Sequence, residues 1–341
     1  MRCLWITAEQ RKGEQPGRRV ALARRMWNGG RDGATRQGEL VHHHLSWLEA
    51  GVVGTMQGVS ELFPVSSLGH SVLLPAWIGG SWARDLNVNT PESPYLAFIV
   101  GLHVATAIAL IVYFRRDWAR IVTGLVTSVV RREVRTSDQR LAWLLVLATI
   151  PVGIAGLIGE HWFRTTLAKP IPTACFLLAN GVVLLLAERL RQHDPGLDST
   201  YIDERVSGPE SDKRLAHLSV APAVLIGTTQ ILALAPGISR SGITTVGGLV
   251  RGLSREDAAR FSFLLATPVI LAAGALKIGD LSGPLGDGIR AQVVFGSVLS
   301  GIGAYLSVRF LTRYLATRSL RPFGIYCVLA GLASLLYFSV R

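Results

Sequence analysis

Gly54-Thr-Met-Gln57-Gly-Val-Ser-Glu61-Leu-Phe-Pro64-Val-Ser66-Ser67-Leu-Gly69-His70 is a polar stretch set between apolar neighbours. At a constant offset of 173 residues, Gly227-Thr228-x-Gln230 lies under Gly54-Thr55-x-Gln57, Ser239 under Ser66 and Gly242 under Gly69. A proline, Pro64 or Pro236, stands ahead of each serine. The copies differ as usefully as they agree. Glu61 faces Leu234, Ser67 faces Arg240 and His70 faces Ile243, so one copy carries acid, hydroxyl and imidazole and the other a guanidinium. Together they make one asymmetric site.

Outward from these stretches the chain is apolar. It has 341 residues, 49% of them apolar and 17% charged, with a mean hydropathy of +0.37, the composition of a polytopic membrane protein. Residues 95–114, 141–158, 171–190, 261–278, 291–311 and 323–340 are nearly free of charge and long enough to cross a hydrocarbon core of roughly 30 Å. The net charge of +12 does not point to nucleic acid, because the arginines stand in short blocks beside spans (Arg115, Arg116, Arg131, Arg132, Arg135; Arg309, Arg313, Arg318, Arg321). Cytoplasmic loops have that pattern. Cys3, Cys175 and Cys327 show no metal-ligand spacing.

Residues 1–44 read as a basic, disordered extension without a signal-peptide core, with Val41 an alternative start ahead of His42-His43-His44. Residues 45–341 form one membrane domain: repeat 1 (45–190), an acid-rich linker (191–214) and repeat 2 (215–341). From 45 to 80 and from 215 to 250 the apolar pattern is interrupted by proline, serine and glycine, so neither half of either segment can span. Each reads as a re-entrant helical hairpin, whose non-helical tip is tolerated only against protein or a water-filled cavity. Residues 118–130, bracketed by arginine, read as an interfacial helix, and Pro151 predicts a kink.

The expected fold is thus all-α: about six transmembrane helices plus two re-entrant hairpins. Three crossings per repeat is an odd number, so the second copy enters from the opposite side, which is an inverted-topology repeat with hairpin tips meeting near the midplane. With 115–140 and 312–321 inside, the first hairpin enters from outside, although this places the basic extension outside, against the positive-inside tendency.

Ionisable groups within a membrane segment cost roughly 2.5–3.5 kcal/mol each on insertion scales, so Glu61, His70 and Arg240 require a reason. One reason is an ion pair that holds the hairpins together. The other is a phosphate site: hydroxyls of Ser66, Ser67, Ser239, Ser241 and Thr244 surround one arginine, and Gly69 and Gly242 let backbone N–H groups approach oxygens. Both tips lead into helices, whose N-termini favour an anion. Ser67 and His70 share a face, so His70 serves as base to Ser67 or attacks phosphorus itself. Gln57 and Glu61 share another, and Glu61 orients the imidazole or holds a divalent cation with Gln57 nearby. His103, inside a span, and His161 and His217, beside spans, read as structural; Gln230 repeats Gln57.

At these motifs the sequence resembles the undecaprenyl-diphosphatase family, bacterial membrane proteins associated with bacitracin resistance. The likeness rests on Gln57–His70, on Leu234-Ala-Pro-Gly-Ile-Ser-Arg-Ser-Gly-Ile-Thr244 and on Phe261-Ser-Phe-Leu-Leu-Ala-Thr-Pro268, and covers about residues 46–341. It implies an inner-membrane hydrolase that removes the terminal phosphate of a C55 polyprenyl diphosphate, recycling the carrier lipid of cell-wall synthesis. It also implies functional roles for Gln57, Glu61, Ser67, His70, Ser239, Arg240 and Thr244, and a divalent cation, Mg²⁺ or Ca²⁺. Many members carry glutamate at the position of Gln57, leaving one carboxylate fewer here, and threonine is common where Leu68 stands. The expected partners are the polyprenyl diphosphate, the bilayer and, as one allowed oligomeric state, a second copy in a homodimer, with the site open to the outer face. A polyprenyl-phosphate flippase would need the same cradle but no nucleophile. An acid-phosphatase-like membrane enzyme would need motifs that the chain lacks.

Overall fold

The computed structural model describes residues 45–87, 94–192, 208–282 and 288–340, and all regular structure within them is helical. The basic extension with His42–His44 and the middle of the acidic linker lie outside the described residues. The first hairpin is α1 (Trp47–Leu62) and α2 (Ser67–Ile78), followed by the short α3 (Gly80–Asp85). Ser46 opens α1 with a capping box: its hydroxyl accepts from Glu49 N at 3.2 Å, and Glu49 accepts from Ser46 N at 2.8 Å. Pro64 closes it, since the residue before a proline is driven out of the helical region and Phe63 is extended at φ −65°, ψ 141°. At 16 and 12 residues, neither helix can span.

The second hairpin repeats this at the sequence offset. α9 (Val220–Thr228) begins 173 residues after α1, and α10 (Arg240–Val250) begins 173 residues after α2. Between them Thr229–Leu234 tightens into a 3₁₀ helix, where the first copy stays α-helical to Leu62.

The remaining long helices are α4 (Pro94–Tyr113), α6 (Ser137–Trp162), α7 (Pro170–Gln192), α11 (Arg255–Ser282), α12 (Arg290–Thr317) and α13 (Arg321–Val340). Five of these six pass by length and hydropathy as single membrane spans among the described residues; α4 does so together with α5 (Arg115–Arg131), from which it is bent by 90°. The chain is therefore an all-α integral membrane protein. From the turn at Phe114, α5 runs at a right angle to α4. Pro151 lies inside α6 without ending it; the α-helical pattern gives way only at the π turn Phe163–Leu167.

Packing between the halves is reciprocal. α1 lies against α12 and α9 against α6, while the equivalent spans α4 and α11 pack on each other, as do α7 and α13. The repeated glycine explains the first pair of contacts. A methyl group on Gly54 would sit 2.5 Å from Gly296 O, and one on its counterpart Gly227 would sit 2.0 Å from Ala148 O. Gly54/Gly58 against Gly296/Ser300 is the small-xxx-small arrangement by which membrane helices approach backbone to backbone. On Gly58 the methyl would lie 2.2 Å from Ser300 O. We expect Gly58→Ala to lower stability in detergent by about 1–3 kcal/mol, the usual cost of overpacking; a thermal melt unchanged from wild type would contradict this close approach.

Residues 208–214, assigned to the linker by composition, belong to α8 (Gly208–Ala216), which is fastened to the bundle by buried charge pairs. Asp212 accepts from Arg120 at 2.6 Å and from the Arg260 fork at 2.8 and 3.1 Å. Asp257 takes both arms of Arg214, at 2.8 and 2.6 Å, and the Ser211 hydroxyl. Glu188, fully buried, takes the Arg255 fork and Leu320 N. Such charges are tolerated because each is paired and hydrogen-bonded.

Candidate active site

Both tips are capped alike. Ser66 Oγ accepts from Gly69 N and Ser239 Oγ from Gly242 N, each at 3.2 Å, so the caps of α2 and α10 obey the same offset as the helices. Bonds between the tips then lock them together. Gly237 N donates to Ser66 Oγ at 3.2 Å, and the hydroxyls of Ser241 and Ser239 donate to Phe63 O at 3.2 and 3.4 Å. Asn180 of α7 braces both: its amide nitrogen donates to Pro64 O and its oxygen accepts from Ser239 N, each at 3.0 Å. The meeting demands unusual backbone. Ser66 has φ 69° and Gly237 φ 110°, and a methyl group on Gly237 would stand 2.4 Å from Thr173 O.

Glu61 is the hub. One carboxylate oxygen, Oε1, accepts from Arg240 Nη2 at 2.6 Å. The other, Oε2, accepts from Gln57 Nε2 at 2.9 Å and from the Ser67 hydroxyl, and faces His103 Nε2 at 3.3 Å. The carboxylate comes from the last turn of α1, the hydroxyl from the first residue of α2, the guanidinium from the first residue of α10 and the imidazole from the middle of α4. His103 Nδ1 lies 2.8 Å from Ile99 O. A carbonyl only accepts, so Nδ1 carries a proton, and Nε2 is the ring nitrogen directed at the carboxylate.

The sequence-derived residues thus divide. Gln57, Glu61, Ser67 and Arg240 converge, with Ser66 and Ser239 beside them. Ser241 serves the tip backbone, and Thr244 Oγ1 donates to Arg240 O at 2.7 Å within its own helix. His70 stands apart from the carboxylate: Nδ1 donates to Ser66 O and Nε2 accepts from Tyr326 Oη, both at 2.7 Å, with the two rings stacked. His103, which reads as structural from sequence, faces the carboxylate, and Asn180 is a residue that no motif singles out. The only sequence signal for either was a polar side chain inside an otherwise apolar span.

A cavity of about 280 Å³ opens over this hub. Glu61, Ser66, Ser67, His103, Gln230, Ser239 and Arg240 line its polar end, and Val100, Val152, Leu234, Val269 and Ile270 its apolar walls. A guanidinium has five N–H donors. Arg240 gives one to Glu61, and the others are available to an anion in the cavity. A hydroxyl held against a carboxylate, beside an arginine and two helix N-termini, can attack a phosphorus atom while the developing charge is held. The apolar walls suit a hydrocarbon attached to the phosphate.

The family model described as "Bacitracin resistance protein BacA" matches residues 50–333. An undecaprenyl-diphosphatase of Mycolicibacterium paratuberculosis is 62% identical over 302 residues, covering 87% of this chain and 99% of that protein. Undecaprenyl-diphosphatase 1 of Frankia casuarinae is 48% identical over 366 residues (86% of this chain, 99% of that protein), and undecaprenyl-diphosphatase 2 of Chromobacterium violaceum is 41% identical over 295 residues (85% and 98%).

Proposed function

The chain belongs to the BacA bacitracin-resistance family, and on that footing we propose that it hydrolyses undecaprenyl diphosphate to undecaprenyl phosphate and inorganic phosphate, recycling the carrier lipid of cell-wall synthesis. The observation that carries this reading is the Glu61 carboxylate, which receives a serine hydroxyl from one repeat and a guanidinium from the other at the polar end of an apolar-walled cavity. A flippase needs the phosphate cradle but no nucleophile, and the relatives named above are hydrolases by name.

Ser67 Oγ attacks the terminal phosphorus while its proton passes to Glu61. The bond from that phosphorus to the bridging oxygen breaks, and prenyl phosphate leaves. The proton held on Glu61 passes to the departing prenyl phosphate oxygen, which restores the carboxylate. Glu61 then takes a proton from water as the water oxygen attacks the phosphoserine phosphorus, the bond from phosphorus to Ser67 Oγ breaks, and the proton returns to Ser67 Oγ as inorganic phosphate leaves. Arg240 and the N-termini of α2 and α10 hold the charge that develops on the phosphoryl oxygens. His70, committed to Ser66 O and Tyr326, fixes the turn that presents Ser67.

His103 donates to Glu61 and so orients it toward Ser67. We expect His103→Leu to lower kcat on the order of a hundredfold, the scale of a small misplacement, with KM little changed, while His103→Gln, which keeps an N–H donor, recovers most of the rate. Equal losses in both variants would contradict the donor role.

A divalent cation fits in one manner. Gln57 Oε1 is buried without a hydrogen-bond partner, and with Glu61 it offers two hard oxygen donors. Among the described residues no group of three His, Cys, Asp or Glu side chains supplies a self-sufficient cage, so substrate phosphate oxygens would complete the shell, as they do for Mg²⁺. Bound there, the cation would neutralise phosphate charge.

The reciprocal packing of the halves supports an inverted repeat, and the arginine blocks at 115–135 and 309–321 support a cytoplasmic-membrane orientation with the cavity open to the outer face. The functional reading is tested by incubating purified protein with a long-chain prenyl diphosphate. Stoichiometric prenyl monophosphate and phosphate support it; intact lipid, moved across a liposome membrane without hydrolysis, overturns it.

A further inference from the structure

The last turns of α12 carry a second cationic feature, separate from the catalytic hub. Arg309, Arg313 and Arg318 border an open recess of about 470 Å³ with Leu306, Phe310 and Tyr314. The three arginines are exposed, and none pairs with an acid among the described residues. Arg309 and Arg313 are four apart on one helix face, a like-charge spacing that destabilises an isolated helix. An anion over the recess removes that repulsion.

Its shape is amphipathic. Leu306 is 57% exposed and Phe310 50%, so large apolar side chains lie bare next to the guanidiniums. In a membrane protein the surroundings of a helix end are head groups, and those of the preceding turns are acyl chains. The column 306–310–314 suits a chain, and 309, 313 and 318 suit a phosphate.

The recess also touches the first hairpin. Phe310 stacks on Tyr314 with centroids 5.3 Å apart and on Phe63 at 5.9 Å, and Phe63 O is the acceptor of the Ser239 and Ser241 hydroxyls. An occupant resting on Phe310 therefore bears on the residue that joins the two tips.

We propose that this recess seats the phosphate head group of an anionic phospholipid, its acyl chain against Leu306 and Phe310, and that occupancy steadies the first hairpin through Phe63. The site is independent of the phosphatase reading, since it uses none of that chemistry.

The test uses the full chain in nanodiscs of phosphatidylcholine, with and without a minor fraction of phosphatidylglycerol, comparing wild type with R309Q/R313Q/R318Q. Lipid retained on the protein is measured by native mass spectrometry, and stability by thermal melting. Each arginine near a membrane surface is worth about fivefold in anionic-lipid affinity, so the triple variant is expected to lose on the order of a hundredfold in phosphatidylglycerol retention. Phosphatidylglycerol should also raise the melting temperature of wild type alone. Raising ionic strength should release the lipid from wild type, a measurement that does not depend on the variant folding. Equal retention by variant and wild type, retention insensitive to salt, or the same stabilisation from inorganic phosphate in phosphatidylcholine alone would each overturn the proposal.

Discussion

Glu61→Gln is expected to reduce phosphate release by about three orders of magnitude, within the range of general-base removal, with a smaller change in KM. The substitution is isosteric. An amide oxygen still accepts from Arg240, so the pairing at 2.6 Å between the two repeats keeps one partner. What is lost is the anion that takes the Ser67 proton, together with the acceptor for Gln57 and His103. Melting temperature in detergent separates the effects: a variant that melts near wild type and does not turn over has lost chemistry. Near-normal turnover would remove Glu61 from the base role and with it the proposed activation of Ser67.

Arg240 is expected to show the second large effect. Arg240→Ala should lower turnover by about 10³-fold or more, the range seen when an arginine that stabilises phosphoryl charge is removed. It should also destabilise the protein, because Glu61, with its side chain 5% exposed, would lose its guanidinium and keep only the His103 imidazole opposite it; breaking a buried pair costs about 3–5 kcal/mol. Arg240→Lys separates these losses. Lysine keeps the charge and most of the stability but cannot present a planar fork to Glu61 and phosphate at once, so its turnover should stay well below wild type. Lysine supporting full activity would mean that charge alone suffices.

Much of this was legible because the chain repeats itself. The offset that aligns Gly54 with Gly227 and Ser66 with Ser239 also gives the starts of α1 and α9, of α2 and α10, and the two serine caps. The same offset sets Glu61, Ser67 and His70 against Arg240 in one composite site, since complementary residues in two copies of a broken helix have little reason to differ unless they meet; all but His70 converge on the carboxylate. What stayed hidden depended on side-chain direction or distant partners. Spacing put His70 on the face of Ser67, but the carbonyl of Ser66, four residues back, captures Nδ1 and turns the ring toward Tyr326. His103 has no motif, and only the folded chain brings the middle of α4 to the tip of α1. Asn180 bridges two tips that lie far from it in sequence. The acids of 208–214 resemble a linker until Arg120 and Arg260, remote along the chain, neutralise Asp212.

The most direct measurement is a double-variant cycle on phosphate release: wild type, Glu61→Gln, Arg240→Ala and both together, each normalised to folded protein. If residues from the two repeats build one catalytic site, removing the second after the first should cost little more, as for groups that act as a unit. We expect the double variant to fall close to the weaker single variant. A double loss equal to the product of the single losses would mean that Glu61 and Arg240 act independently, and the single composite site would be wrong.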